Sequence, residues 1–533
     1  MHASGSRDAA GSRRARSTTG RIGRVLAGVL LFTLTWLGMA LLIAAAIIHY
    51  HWGKVTVVQV LMNLMSMEIG GGGGVIVWVC ILGIGVVPLL LTIAIMFWPS
   101  IMRRLRHRSS KTRTHQSASD HTRPTWFGRG MYAVVVLTLI IGGPAAFVST
   151  VQVTDYIDAA DSSYEIGDHY VKPNVTSEGD ERNMVMVYLE SGEAALGDDE
   201  VFEKDAYASL KEVTRAEDGW QSIDDLREYD GSGWTMAGLV STQCGVPLDG
   251  ILSAASSGSY AESGVGTETY LGGLTCFGDI LKDNGYTNVF LGGANPSFAA
   301  KDTMLGDHGY SKVLGRGDWR DRGEPDSSFR SDWGLSDQRL MEYAKDELDA
   351  LHAESEVTGE PFNLSVLTLD THEPVHVHDY CTVDTEKEAT SVYACSMDQV
   401  AGLVKHMEEQ GYLEDTAVVI MGDHLKPVDA GDAFHEELGD DETRALFNRI
   451  WVPGGEEAPL RSDMDQLNMF PTLLEIAGLN VEDHEAGLGV SAFTTEVPED
   501  SAQSLPDEAY TELLKSRSSQ FYEDAWVGED VTP

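Results

Sequence analysis

The sequence predicts an α/β domain built on a mainly parallel sheet, preceded by an all-α transmembrane region. Two observations predict the first part. Continuous apolar runs such as NMVMVYL and AVVIMG have the pattern of strands buried on both faces. Helix-period stretches such as SDQRLMEYAKDELDALHAE separate them, giving the β–helix–β rhythm of a sheet covered on both sides. A third observation predicts the second part: the long apolar stretches are confined to the first 151 residues of the 533.

Three stretches reach the roughly 20 residues a bilayer requires: residues 25–48, 75–98 and 131–151. The run 55–67 is too brief to span and reads as interfacial, and 70–74, an unbroken glycine run, reads as a flexible outer loop. Arg7, Arg13, Arg14, Arg16, Arg21 and Arg24 precede the first span. Arg103, Arg104, Arg106, Arg108, Lys111, Arg113, Arg123 and Arg129 lie between the second and third. Basic loops stay in the cytoplasm, which puts the amino terminus inside and everything beyond about residue 152 on the outside. The first span is longer than a signal-peptide core and no small-x-small site follows it, so it reads as an uncleaved anchor.

Charge divides the chain in the same place. Residues 1–150 carry 15 Lys/Arg and 3 Asp/Glu, and the remainder 23 and 79, within a net charge of −44. So acidic a domain repels phosphate backbones at long range, which excludes a nucleic-acid partner. Cysteine usage agrees with export: Cys244, Cys276, Cys381 and Cys395 all fall in the acidic part. Four cysteines allow three pairings, and proximity in sequence favours Cys244 with Cys276 and Cys381 with Cys395.

Residues 152–182, polar and acidic, read as a tether. Residues 183–495 read as the extracytoplasmic catalytic domain, with strands at 184–189, 287–293, 363–369 and 417–423 and a later one in RIWVP. Residues 496–533 read as an acidic, loosely ordered tail.

The chemistry-bearing residues sit where these strands stop, the place at which an open α/β sheet presents its site. Glu190 ends NMVMVYLE, and Asp423 and His424 end AVVIMGDH. Thr235, in GSGWTMAGL, opens a helical pattern, where free backbone N–H groups and the positive dipole end suit a phosphate. Two carboxylates, an imidazole and a hydroxyl can share one divalent metal, and a hydroxyl beside such an ion is an activated nucleophile. Each residue also has a bland reading: Glu190 and Asp423 as caps of a following helix, Thr235 as an N-cap. His372, in TLDTHEP past another strand, can orient a phosphate or exchange a proton with a leaving oxygen; His376 and His378 follow it. Lys301, in FAAKD, can pair with a phosphate, although a solvated lysine is the default.

Together these stretches resemble the membrane phosphoglycerol transferases of the alkaline phosphatase/sulfatase superfamily. The likeness is closer to the enzymes that decorate periplasmic glucans than to lipoteichoic acid synthase. NMVMVYLES, GWTMAGLVSTQCGVPL, GDILKDNGYTNVFLGG, KDTMLGDHGY, LDTHEP and GDHL occur in the family order over residues 183–493. The resemblance implies an alkaline-phosphatase-like three-layer sandwich. It implies Thr235 as the nucleophile, Glu190, Asp423 and His424 with Thr235 as metal ligands, and His372 and, more loosely, Lys301 as substrate-binding residues. It implies phosphatidylglycerol as donor and a cell-envelope glycan or glycolipid as acceptor. Lipoteichoic acid synthase places a histidine where this chain has Leu291 and an aromatic where it has Ala299, which bears on headgroup and acceptor rather than on the reaction type. Mn²⁺ suits a shell of three oxygens and one nitrogen, with Zn²⁺ and Mg²⁺ as the other candidates. Two rivals remain in view: a phosphoethanolamine transferase, which uses the same threonine-and-metal logic, and a catalytically inactive membrane-anchored surface protein. A sulfatase proper would need a Cys/Ser-x-Pro-x-Arg setting, which Thr235-Met-Ala-Gly-Leu lacks.

Overall fold

The computed structural model describes residues 8–57, 60, 78, 81–110, 125–159, 162–177, 181–229, 231–248, 269–330, 333–428, 432–439, 443–454, 460–528 and 531. The chain divides into two compact units, residues 1–54 with 74–152, and residues 55–73 with 153–533.

The first unit contains α1 (Asp8–Trp52), α2 (Val87–Ser110) and α3 (Thr125–Thr150). Within it, Ile22–Tyr50, Ile81–Trp98 and Gly130–Thr150 are long and apolar enough to cross a membrane. A π-helical segment, Ile81–Val86, leads into α2. α1 and α3 approach so closely that a Cβ on Gly143 would lie 1.9 Å from the Gly38 carbonyl oxygen. Small residues allow such backbone contact between apolar helices, where lipid supplies no hydrophobic drive. The start of the expected second span, most of the expected interfacial run, the glycine run and the basic stretch 111–124 lie outside the described residues.

The second unit is organised by a six-stranded sheet. In chain order the strands are β1 (Asn183–Leu189), β2 (Thr287–Gly292), β3 (Lys312–Leu314), β4 (Phe362–Leu367), β5 (Thr416–Gly422) and β6 (Asn448–Trp451). Their spatial order is β3-β2-β4-β1-β5-β6. All neighbours are parallel except β5 and β6. The helices used below are α4 (Thr235–Cys244), α5 (Phe277–Asp283), α6 (Lys301–Asp307), α7 (Asp337–Thr358), α8 (Glu388–Gln410), α9 (Met469–Ile476), α10 (Asp507–Lys515) and α11 (Ser519–Val527).

Residues of β1 alternate between two cores, as a period of two requires. Met184, Met186 and Tyr188 pack into a layer with residues of α4, α5, α6, α9, α10 and α11. Val185, Val187 and Leu189 pack into the opposite layer with α7 and α8. This is the expected three-layer α/β sandwich, and truncating a buried leucine such as Leu364 to alanine would cost about 2–5 kcal/mol. The four long strands fall within two residues of expectation. Helix α8 begins at Glu388, eight residues before the helix-period run SMDQVAGLVKHMEEQ at 396–410. Its first turns carry small and β-branched residues, and burial rather than propensity holds them.

Two expectations are corrected. The segment beyond Thr495 is not loose: Leu513, Tyr522, Ala525 and Trp526 are buried in the main core, and Tyr522 donates to the Pro247 carbonyl at 2.7 Å. Its acidic residues mark an outer face whose apolar partners point inward, an amphipathic pattern rather than a solvated tail. The tether is also shorter than expected. Ile166 and Tyr170 are buried in the same core, and Val175–Thr176 pairs antiparallel with Asn480–Val481. Both predicted disulfides are present, Cys244–Cys276 and Cys381–Cys395.

Candidate active site

The site is built at the C-terminal ends of three adjacent strands, β4, β1 and β5. Leu189 pairs with Gly422, so the next residues, Glu190 and Asp423, leave the sheet side by side. Glycine at two positions permits this approach. A Cβ on Gly422 would lie 2.1 Å from the Gly192 carbonyl oxygen. From the other flank the Thr368 hydroxyl accepts from Glu190 N–H at 2.9 Å, and the Thr371 hydroxyl donates to the Glu190 carbonyl at 2.6 Å. Glu190 is therefore held by its backbone, and its carboxylate is left for chemistry.

Glu190, Asp423 and His424 are buried and bring one ligand atom each within 4.8 Å of one another. Neither acid caps a helix; each turns directly into the site. Asp423 Oδ1 accepts from the N–H groups of Ser191 (2.9 Å) and His424 (2.8 Å). Its Oδ2 is buried and accepts no hydrogen bond among the described residues. His424 Nδ1 lies 2.7 Å from the Leu425 carbonyl, so it carries the proton, and Nε2 is directed at Glu190 (3.5 Å) and Asp423 (3.6 Å). An orphan carboxylate oxygen, a second carboxylate and an imidazole nitrogen with its tautomer fixed from behind fit a divalent cation.

Charge at this cluster is balanced internally. Burial penalises the Glu190 anion, yet the imidazoles of His372 and His424 hold its carboxyl well below the usual range. Burial and the neighbouring Glu190 push Asp423 up to about 7, against the pull of His424. Burial opposes protonation of His424, but Asp423 and Glu190 raise it to about 10. A cation placed among them would take over the role that the His424 proton fills here.

Thr235 is the first residue of α4, one past the N-cap Trp234, so it is not the cap itself. Its hydroxyl donates to Glu190 Oε2 at 3.3 Å. Helix α4 reaches the cluster because residue 238 is glycine: a Cβ there would sit 1.9 Å from the Asp423 carbonyl oxygen. Gln466 Nε2 donates to that same carbonyl at 2.7 Å.

His372 is half-buried rather than an exposed loop histidine, and its imidazole interacts electrostatically with Glu190. Its Nδ1 donates to the Glu373 carbonyl at 2.5 Å, and its ring packs 4.6 Å from that of Trp333. Lys301 is buried at the start of α6, contrary to the default for a lysine, and its electrostatic partners are Glu190 and Asp423. Two consecutive non-glycine residues in the left-handed region, Ala299 and Ala300, turn the chain to present it. His378 is buried and bound to Asp370 at 3.0 Å, which makes it a support of the loop. The ring of His376 lies 4.6 Å from that of His378.

Four further residues were not singled out by sequence. Ser191 donates to Glu190 Oε1 at 2.9 Å, and Glu228 accepts from Leu425 N–H at 2.7 Å. Arg330 is buried and donates to the carbonyls of His372 and Pro374. Lys426 is buried against Glu373. Ser191 and Lys426 lay beside recognised motifs and could have been found there; Arg330 and Glu228 carry no local signal.

The sulfatase family model matches residues 183–479. Phosphoglycerol transferase I of Escherichia coli O139:H28 is 26% identical over 426 residues, covering 77% of this chain and 50% of that one. The chain thus spans about half the length of the curated relatives it matches. Among solved structures, an alkaline phosphatase superfamily protein from Vibrio parahaemolyticus aligns with a TM-score of 0.48 at 16% identity, covering 70% of this chain and 97% of that one. The lipoteichoic acid synthase LtaP from Listeria monocytogenes aligns with a TM-score of 0.44 at 13% identity, covering 70% and 98%. With the family match extending from β1 past α9, and the strand-end cluster inside it, this chain belongs to the sulfatase family.

Proposed function

We propose that this chain is a membrane-anchored transferase that moves glycerol phosphate from phosphatidylglycerol to a cell-envelope glycan or glycolipid through a phospho-threonine at Thr235. The observation that carries the reading is the Thr235 hydroxyl at the start of α4, 3.3 Å from Glu190 in the buried acid–imidazole cluster. The similarity to phosphoglycerol transferase I supports the choice of headgroup.

Glu190, Asp423 and His424 would hold a single divalent cation, with the Thr235 oxygen completing the set; Mn²⁺ is proposed, with Zn²⁺ or Mg²⁺ as alternatives. When bound, it would lower the pKa of the hydroxyl and neutralise phosphate charge. Thr235 Oγ1 attacks phosphorus, the new O–P bond forms, and the bond from phosphorus to the diacylglycerol oxygen breaks. The proton lost by the threonine equals the one diacylglycerol takes up. His372 Nε2 is free to carry it, because Nδ1 holds the ring hydrogen against the Glu373 carbonyl. Lys301 and the free N–H groups at the start of α4 receive phosphate oxygens. In the second half-reaction an acceptor hydroxyl attacks the same phosphorus, the threonine ester breaks, and Thr235 recovers its proton.

The apolar helices of the first unit are proposed to place the domain on the outer face of the cell membrane, amino terminus inside, and to confine it near its lipid donor. The test is to incubate the full-length protein in vesicles with phosphatidylglycerol labelled in the headgroup, or phosphatidylethanolamine labelled likewise. Diacylglycerol release with label retained on protein from the first lipid alone supports the reading. Label from the second alone makes the chain a phosphoethanolamine transferase, and label from neither, with Mn²⁺, Zn²⁺ and Mg²⁺ each supplied, an inactive surface protein.

A further inference from the structure

Two loops carry the site's two imidazoles, one after β4 with His372 and one after β5 with His424. They are joined by a pair of charges that touches none of the metal-ligand candidates. Lys426, two residues beyond His424, is 1% exposed, and its ammonium lies 2.8 Å from Glu373 Oε1. The same carboxylate oxygen accepts from Ala433 N–H at 3.2 Å. Lys426 is itself held by its backbone. Its N–H donates to Glu193 Oε2 at 3.2 Å, and Arg444, paired with that carboxylate, also donates to the Lys426 carbonyl. Glu193 is fully buried.

Glu373 is the residue whose carbonyl receives the His372 Nδ1 proton. Its side chain and main chain therefore act together: the side chain is anchored to Lys426, and the main chain sets the tautomer and orientation of His372. On the opposite flank Arg330 donates to the carbonyls on either side of Glu373, those of His372 and Pro374. Burying an ammonium is costly, and a methionine of similar volume would pack there without that cost. A lysine at this position is explained by what it holds in place.

We infer that Lys426 and Glu373 are positioning residues that lock the His372 loop to the strand end bearing Asp423 and His424, so that the imidazole is held ready for the transferred phosphate. The inference rests on the role proposed above for His372. A misplacement of about 1 Å is enough to cost roughly 10²-fold in rate, which is the scale a loosened His372 loop would produce.

The experiment is a double-mutant cycle on the full-length protein in vesicles, with turnover, bound-metal content and thermal unfolding measured for each variant. E373Q is expected to lower turnover about tenfold or more, with metal content unchanged. In an H372A background the same change is expected to have less than about a twofold effect, because residues acting through one another are non-additive. K426M/E373L removes both charges together and guards against a merely unfolded variant; it is expected to stay folded and still lose turnover. Equal losses from E373Q in both backgrounds, or full turnover in K426M/E373L, would overturn the inference. Full turnover in H372A alone would overturn the role given to His372, which is a separate failure.

Discussion

Glu190 and Asp423 follow directly on paired positions of neighbouring parallel strands, Leu189 in β1 and Gly422 in β5. The sheet register alone thus sets two carboxylates beside each other, and His424 comes with the second. Helix α4 brings Thr235 to that point, the loop after β4 brings His372, and the start of α6 brings Lys301.

The approach of α4 depends on Gly238. Alanine there would drive its methyl into the Asp423 carbonyl oxygen, which sits 1.9 Å from the Cβ position. G238A is expected to destabilise the domain by about 1–3 kcal/mol in denaturant titration. It is also expected to reduce turnover by more than stability explains, since both Thr235 and Asp423 must shift. Normal turnover in a folded G238A protein would mean that this contact does not position the site.

A metal requirement is expected from the orphan Asp423 oxygen and the fixed His424 tautomer. Chelation is expected to abolish turnover and lower the unfolding temperature. A ligand present at a hundred times its Kd stabilises by about 2.7 kcal/mol. D423N and H424A are each expected to lose the bound metal in elemental analysis while retaining the fold. One equivalent of metal retained in D423N would contradict the ligand assignment.

The pH profile reports on His372. Burial pushes its imidazole below the ordinary 6.5, although Glu190 pulls the other way. A base with a lowered folded pKa stays unprotonated as pH falls through 6.5 and is lost only below that point. The acid limb of turnover is therefore expected below pH 6.5, and H372A is expected to remove it. An acid limb at or above 6.5 that depends on His372 would contradict this.

Much of this was legible in sequence, and the reasons are specific. β1 and β5 are apolar on both faces, so their ends, and with them Glu190 and Asp423, could be located without alignment. Thr235 was readable as a helix start. The burial of Lys301 was not, because it depends on Ala299 and Ala300 adopting a left-handed turn that neither residue favours. The segment after residue 495 was misread because its charged face outweighs, in composition, the few residues that anchor it, Leu513 and Trp526 among them. Arg330 was missed because a buried cation away from any motif has no local signature, whereas Lys426, directly after GDHL, was within reach of a recognised motif and its burial against Glu373 was not.

The cross-link between Cys244 and Cys276 ties the end of α4 to the N-cap of α5. Replacing both by serine is expected to cost about 2–4 kcal/mol in denaturant titration, with turnover kept where the variant is folded. Loss of turnover in the folded variant would show that the bridge positions Thr235 through α4.

The most direct measurement is single-turnover trapping with labelled phosphatidylglycerol, followed by mass analysis of the proteolytic peptide that contains Thr235. A glycerol phosphate adduct on Thr235, chased off by an acceptor hydroxyl and absent from T235A, is the expected result. Undiminished turnover in T235A, or an adduct on a different residue, would contradict the assignment of this hydroxyl as the nucleophile.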